Sequence, residues 1–151
     1  MSESDMADGL KLMAEDEEDL AIISAHLQDA VTRIGDLAYL PKSRRFAAFV
    51  NRFCWEGCPE GSPGERTRAG LHFDNVLSAK ALNVRQSDPD AVIELLALRF
   101  ESKGEGAGYI DLMLAGGGRI RLEVEAIEAT LRDISEHWPA RARPAHSLEE
   151  N

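Results

Sequence analysis

The sequence predicts an α+β fold: a mainly antiparallel sheet of six to eight strands, bent or partly closed into an open barrel, with an N-terminal helix and a C-terminal closing helix. Three observations predict it. Residues 109–125 alternate apolar and polar on both sides of Gly116-Gly117-Gly118, the pattern of a hairpin. The breaks between strand-like runs are too short for parallel crossovers, so a parallel sheet is not expected. Helical spacing of apolar residues occurs near each end of the chain, at 16–30 and 126–138.

The elements follow in order. Residues 1–9 are polar and are expected to be disordered; residues 10–138 form one domain; residues 139–151, with two prolines, form a flexible tail. Leu10–Ala14 reads as a short edge strand. Asp16 reads as a helix N-cap with acidic residues in the first turn, where the helix dipole favours them. The helix runs to about Ala30, burying Leu20, Ile23, Leu27 and Ala30, with Ile22 widening the stripe and His26 at its boundary. Val31–Leu40 reads as a strand weakened by Gly35. Pro41–Arg44 is a turn.

Arg45–Trp55 is a strand that is apolar on both faces. Phe46, Ala48 and Val50 lie on one side; Ala47, Phe49, Phe53 and Trp55 lie on the other. Such a strand is usually covered on both sides, by a helix, a second sheet or a partner. Phe49, Phe53 and Trp55 are therefore the candidate interface residues. Gly57–Glu65 is loop. In the next strand Thr67, Ala69, Leu71 and Phe73 face inward, and Arg66, Arg68, Gly70 and His72 form a basic outer face. Asp74-Asn75 makes a turn or bulge, and Val76–Val84 is the partner strand. After a break at Ser87–Asp90, Val92–Glu101 reads as a strand, with Pro89 as an alternative helix start. Lys103–Gly108 turns into the hairpin. There Ile110, Leu112, Leu114, Ile120, Leu122 and Val124 face the core. Ile127, Leu131, Ile134 and Trp138 then make the stripe of the closing helix, which caps the sheet. Strands followed by one closing helix is the order of the pleckstrin-homology-like barrel, a likeness of fold that carries no function.

The length, 151 residues, suits one ordinary domain. A chain of this size buries about 68–70% of its extended surface and needs no disulfide or metal staple. The net charge of −10, from 17 basic and 27 acidic side chains, opposes nucleic-acid binding, which depends on clustered Lys and Arg. The opening MSESDMADG lacks the basic and apolar regions of a signal peptide, and no apolar run approaches the ~20 residues that cross a bilayer. The expectation is a cytoplasmic protein with neither nucleic acid nor membrane as partner.

The chemistry-bearing residues are few. Gly116–Gly118 joins two strands and so reads as a hairpin turn, since a phosphate cradle needs a helix N-terminus. Cys54 and Cys58 lack the further ligands of a zinc site, so no metal and no cofactor are expected. His72 and Asp74 offer a base and an orienting acid, but no nucleophile or oxyanion hole accompanies them, and no catalytic residue is assigned. Glu123 and Glu125 suit a solvated strand. Arg66, Arg68, His72 and Asp74, joined by Arg44 and Arg45, are the candidate ligand-binding set, a cluster that could hold a phosphate or carboxylate. The competing reading is an outer face balanced by neighbouring acids.

The stretches RRFAAFVNRFCWEG, GLHFDNVLSAKALNV, DPDAVIELLALRFE and AGGGRIRLEVEAIEATLRDI together resemble the bacterial family catalogued as domain of unknown function 2948, from about Leu10 to Arg143. The resemblance implies a soluble bacterial protein and carries no catalytic residues over. The function expected from the residues is a non-enzymatic binding or assembly module that forms a homodimer. The alternative is a small-molecule binder or enzyme acting on an anionic ligand at the Arg66/Arg68/His72 face.

Overall fold

The computed structural model describes residues 9–54, 65–84, 87–134 and 138–139. Trp55, Cys58, the glycine-rich loop through residue 64 and both terminal segments expected to be flexible lie outside the described residues, apart from Gly9 and Pro139 at their edges. The chain order is β1 (Lys11–Ala14), α1 (Glu17–Leu27), β2 (Val31–Arg33), a 3₁₀ turn (Ile34–Asp36), β3 (Leu37–Leu40), β4 (Arg45–Phe53), β5 (Glu65–Phe73), β6 (Val76–Leu82), β7 (Val92–Gly104), β8 (Ala107–Leu114), β9 (Arg119–Val124), β10 (Ala129–Asp133) and β11 (Trp138–Pro139). The expected class holds, a mostly antiparallel sheet with an N-terminal helix, but with eleven strands rather than six to eight and with α1 as its one α-helix among the described residues.

α1 begins where the sequence places it. The Asp16 side chain accepts a hydrogen bond from Asp19 N at 2.8 Å, and Glu17, Glu18 and Asp19 occupy the first turn. Leu20, Ile23 and Leu27 are buried, as is Ala30 just beyond. Ile22 does not widen that stripe; it lies half exposed. His26 sits at the boundary, its Nδ1 3.0 Å from the Ile22 carbonyl one turn back. Ser24 Oγ accepts from Leu98 N at 2.9 Å, which fastens the helix to β7.

The sheet is one open path, β1-β10-β5-β4-β2-β7-β8-β9-β6, with β3 added on β4 and β11 on β5. Val31 of β2 joins its two halves, pairing with Asn51 on one side and Glu94 on the other. The path bends back on itself: Val76 N donates to the Arg44 carbonyl at 2.8 Å, and the Tyr39 hydroxyl donates to the Val76 carbonyl at 2.9 Å. Strand 31–40 is interrupted because Ile34 N and Gly35 N turn away to Ala91 O and Pro89 O. A Cβ on Gly35 would stand 3.1 Å from that Pro89 oxygen, a tight contact that glycine relieves. β6 is not the partner of β5. From Asn75, held at φ +63°, the chain crosses to the far edge and pairs with β9.

The hairpin is the expected one. Gly116 and Gly117 take positive φ in its turn, and Ile110, Leu112, Leu114, Ile120, Leu122 and Val124 are all buried. Residues 126–138 are the main correction. Where described, they form no closing helix: Ala129–Asp133 is β10, paired with β5 (Leu131 opposite Leu71) and β1 (Leu12 opposite Leu131), and Trp138 pairs through its backbone with Arg66. Consequently the described residues lack the closing helix of the pleckstrin-homology-like order. Ile127 and Leu131 are four apart, a spacing that satisfies both a helical stripe and one strand face. The strand face wins because it supplies β5 with an edge partner and buries Ile127, Ala129, Leu131 and Asp133 together, leaving Ile134 outside.

Asp133 is buried because Arg52 meets it. Arg52 Nε and Nη2 grip Asp133 Oδ1 and Oδ2 at 2.8 and 2.9 Å, and both side chains are 0% exposed. Asp133→Ala is expected to destabilise the protein by about 3–5 kcal/mol in urea denaturation, since it strands a buried charge, whereas Asp74→Ala on the exposed Arg45 pair costs about 1 kcal/mol or less. Leu122→Ala is expected to cost about 2–5 kcal/mol in the same measurement.

Candidate functional site

Alternation along a strand sends every second residue to one face. On β5, buried Thr67, Ala69, Leu71 and Phe73 leave Arg68, Gly70 and His72 on the opposite side. Cross-strand register brings their neighbours into line. Phe49 and Arg132 flank Gly70, Ala47 and Thr130 flank His72, and Lys11 and Met13 of β1 stand beside Arg132 and Thr130. Gly70 contributes no side chain, and a Cβ there would find no atom within 4 Å. The result is a groove of about 460 Å³ with Gly70 in its lining. Lys11, Arg45 and Arg132 supply its positive charge. Met13, Phe49 and Ile134 supply its apolar surface, at 60%, 50% and 50% exposure.

His72 lines this groove. Its Nδ1 stands 3.5 Å from Asp74 Oδ2 without forming a hydrogen bond, while Arg45 Nε donates to Asp74 Oδ1 at 2.8 Å. Burial pushes the His72 pKa below its ordinary value and the Arg45 charge adds to this, against the pull of Asp74 and Glu128. The ring is therefore mostly neutral at pH 7. Thr130, the groove's one hydroxyl among the described residues, is the register partner of His72, yet no hydrogen bond joins the two side chains. The arrangement has a base without an activated nucleophile.

Arg68 stacks over Phe49 at 5.3 Å, and Phe49 borders both the groove and a smaller cavity of about 270 Å³ that Arg68 lines with Arg33, Asp36 and Asn51. Arg66 is not on the surface at all. It is buried, donates from Nη1 to the Asn51 carbonyl at 3.0 Å and lies 5.8 Å from the centre of the Phe53 ring. The candidate ligand set is thus spread out: His72 and Asp74 at one end, Arg68 beside the smaller cavity, Arg66 in the interior. Of the candidate interface residues, Phe49 is exposed and Phe53 is buried, with Trp55 outside the described residues. Cys54 is buried, and among the described residues no group of three or more His, Cys, Asp or Glu is placed to hold a metal.

Lys11, Met13, Arg132 and Ile134 were not legible as site residues, because a helix at 126–138 takes β10 out of the sheet. The signal within reach was Gly70, since a glycine inside a strand marks a place where something else approaches the backbone. The outer face of β7, β8 and β9 contrasts with the groove. Arg121 grips Asp111 with Nε and Nη2, both at 2.9 Å, reaches Glu101 at 3.0 Å and covers the Tyr109 ring at 4.4 Å. Lys103 pairs with Glu123 at 2.9 Å and covers Tyr109 at 5.1 Å. The Asp111 hydrogen bonds raise the pKa of Arg121, and Lys103 lowers that of Glu123. That face neutralises itself; the groove has a surplus of cations beside apolar surface.

The titration of His72 has a definite sign. As pH falls through 6.5 the unfolded chain takes up the proton first, so His72 lowers stability between 6.5 and its depressed folded value. A His72 ring titration by NMR is expected to give a midpoint below 6.5, and His72→Gln to flatten that part of the stability profile.

A family model described as protein of unknown function (DUF2948) matches residues 10–146. No curated protein and no solved structure matches the chain. No helix among the described residues is long and apolar enough to cross a membrane. The chain belongs to the DUF2948 family, to which no function is assigned.

Proposed function

We propose that this DUF2948 family member is a non-enzymatic binding and assembly module of the bacterial cytoplasm, and that it works as a homodimer. The observation that carries this reading is the groove face: Met13, Phe49 and Ile134, each at least half exposed, stand around Gly70 among Lys11, Arg45 and Arg132. Exposed apolar side chains gathered on one face mark a contact surface more than singly scattered ones do. Charge complementarity supports a second copy as the occupant. The chain carries a net charge of −10, and the exposed side of α1 sets Glu17 and Glu18 near half-exposed Ile22. An acidic, apolar helix surface fits a basic, apolar groove, and a two-fold axis makes the contact twice.

Light scattering over a concentration series is expected to give twice the 16.6 kDa chain mass, falling towards one chain on dilution and in high salt. Phe49→Asp is expected to leave a folded monomer by circular dichroism. A strict monomer at the highest concentration removes the reading.

A second reading is favoured by the smaller cavity, where Arg33 and Arg68 stand beside Asn51 and Thr32. It would make the protein a binder of, or an enzyme acting on, a small phosphate or carboxylate compound. A thermal-shift hit among nucleotides, sugar phosphates and carboxylates that is lost in Arg68→Ala supports it; no hit favours the first reading.

A further inference from the structure

Two arginines of this chain grip carboxylates with the same edge of the guanidinium, the fork of Nε and Nη2. Arg52 does so on Asp133 and Arg121 on Asp111. Arg66 is as deeply placed, at 3% exposure, but its fork is empty: Nε and Nη2 are both shielded from solvent, and neither meets a hydrogen-bond acceptor among the described residues. Only Nη1 is bonded, to the Asn51 carbonyl. The acids that bear electrostatically on Arg66 are Asp29 and Glu94, and neither accepts a hydrogen bond from its fork. A buried charged donor pair without an acceptor is strongly unfavourable, and such a gap in a folded protein calls for an occupant.

We propose that the Arg66 Nε/Nη2 fork is a binding site for a small oxyanion, the carboxylate or phosphate group of a ligand, held side-on as Asp133 and Asp111 are held elsewhere in the chain. The depth of Arg66 limits what enters to a single oxyanion group rather than a macromolecule. The Phe53 ring closes one side of the guanidinium at 5.8 Å. The neighbouring rung of the ladder, Asn51 opposite Arg68, borders the smaller cavity, so the remainder of a ligand has polar surface close by. The inference shares the ligand class of the second reading but not its anchor, and it does not depend on the dimer.

Arginine Nε–H spectra of the ¹⁵N-labelled protein test it, titrated separately with inorganic phosphate and with acetate against matched sodium chloride. The Arg66 resonance, identified by its loss in Arg66→Lys, is expected to shift saturably with one or both anions, while those of Arg52 and Arg121 stay in place. The melting temperature is expected to rise with the same anion and to lose that rise in Arg66→Met. Should Arg66→Met fail to fold, the wild-type titration decides alone. Response to phosphate only, or to acetate only, tells the two ligand chemistries apart. An Arg66 resonance unmoved by either anion overturns the proposal, and so does a stabilisation that persists in Arg66→Met. Retention of the Arg66 shift in Arg68→Ala separates this site from the smaller cavity.

Discussion

The pair of Arg52 and Asp133 is the constraint on which much of the sheet depends. It lies on the inner face and spans from β4 to β10 across β5, fully enclosed. The same carboxylate accepts from Leu10 N at 3.0 Å, and Asp133 N donates to the Leu10 carbonyl at 2.9 Å. Four segments of distant sequence are thereby held in one register: the lead-in to β1, then β4, β5 and β10. A buried ion pair gives little net stability compared with apolar packing, but it penalises every arrangement in which one partner is left alone. Slipping β10 by one residue would turn Asp133 out and leave the Arg52 charge in the core, so the pair selects the strand and its register together. Gly9 completes the arrangement, because a Cβ there would stand 2.8 Å from Asp133 Oδ2.

The three deep or half-deep arginines show how differently one chain can treat the same side chain. Arg52 is matched internally and serves architecture. Arg121 is matched at the surface and sits in a lattice of alternating charge around Tyr109, where solvent screening keeps each contact modest. Arg66 has the burial of the first without its carboxylate. Function is sought where the accounting of polar groups does not close, and on this chain that points to the β4–β5 side of the sheet rather than to the self-neutralised face of β8 and β9.

What the sequence could reveal followed the range of the interactions involved. The hairpin through Gly116–Gly118 was legible residue by residue, because alternation and turn chemistry are local. So was the start of α1, where Asp16 and its acidic neighbours state the cap directly. β10 was not legible. Ile127 and Leu131 fit either period, and Asp133, the residue that would have completed the strand pattern, is charged and so reads as outward. Only Arg52, some eighty positions earlier in the chain, makes its inward placement affordable. The partner of β6 was equally hidden, since nothing near Val76 marks β9 as its neighbour. The groove inherited this gap: its β5 and β4 residues were recognised, but half of its rim comes from β10 and β1. Arg66 shares strand parity with Arg68 and His72, and burial, a property of what lies over it, is what sets it apart.

The open path of the sheet has a consequence for how the molecule avoids itself. Among the described residues the two ends of the path, β1 and β6, have a partner strand on one side only, as do the short β3 and β11 beside the path, and such edges recruit other chains unless they are blunted. At one end β1 is only four residues long and opens with Lys11. At the other, β6 carries Lys80 and a bulge between Val76 and Ser78, which breaks the flat run of amides that a docking strand would need. Both borders are thus poor templates for uncontrolled fibre-like addition, even though Leu77 and Leu82 show apolar surface along β6. Contacts made through side chains on a face can be limited by shape and charge, whereas contacts made through bare backbone at an edge repeat without limit. A sheet built this way is free to keep apolar side chains exposed on its broad surface without inviting polymerisation from its rims.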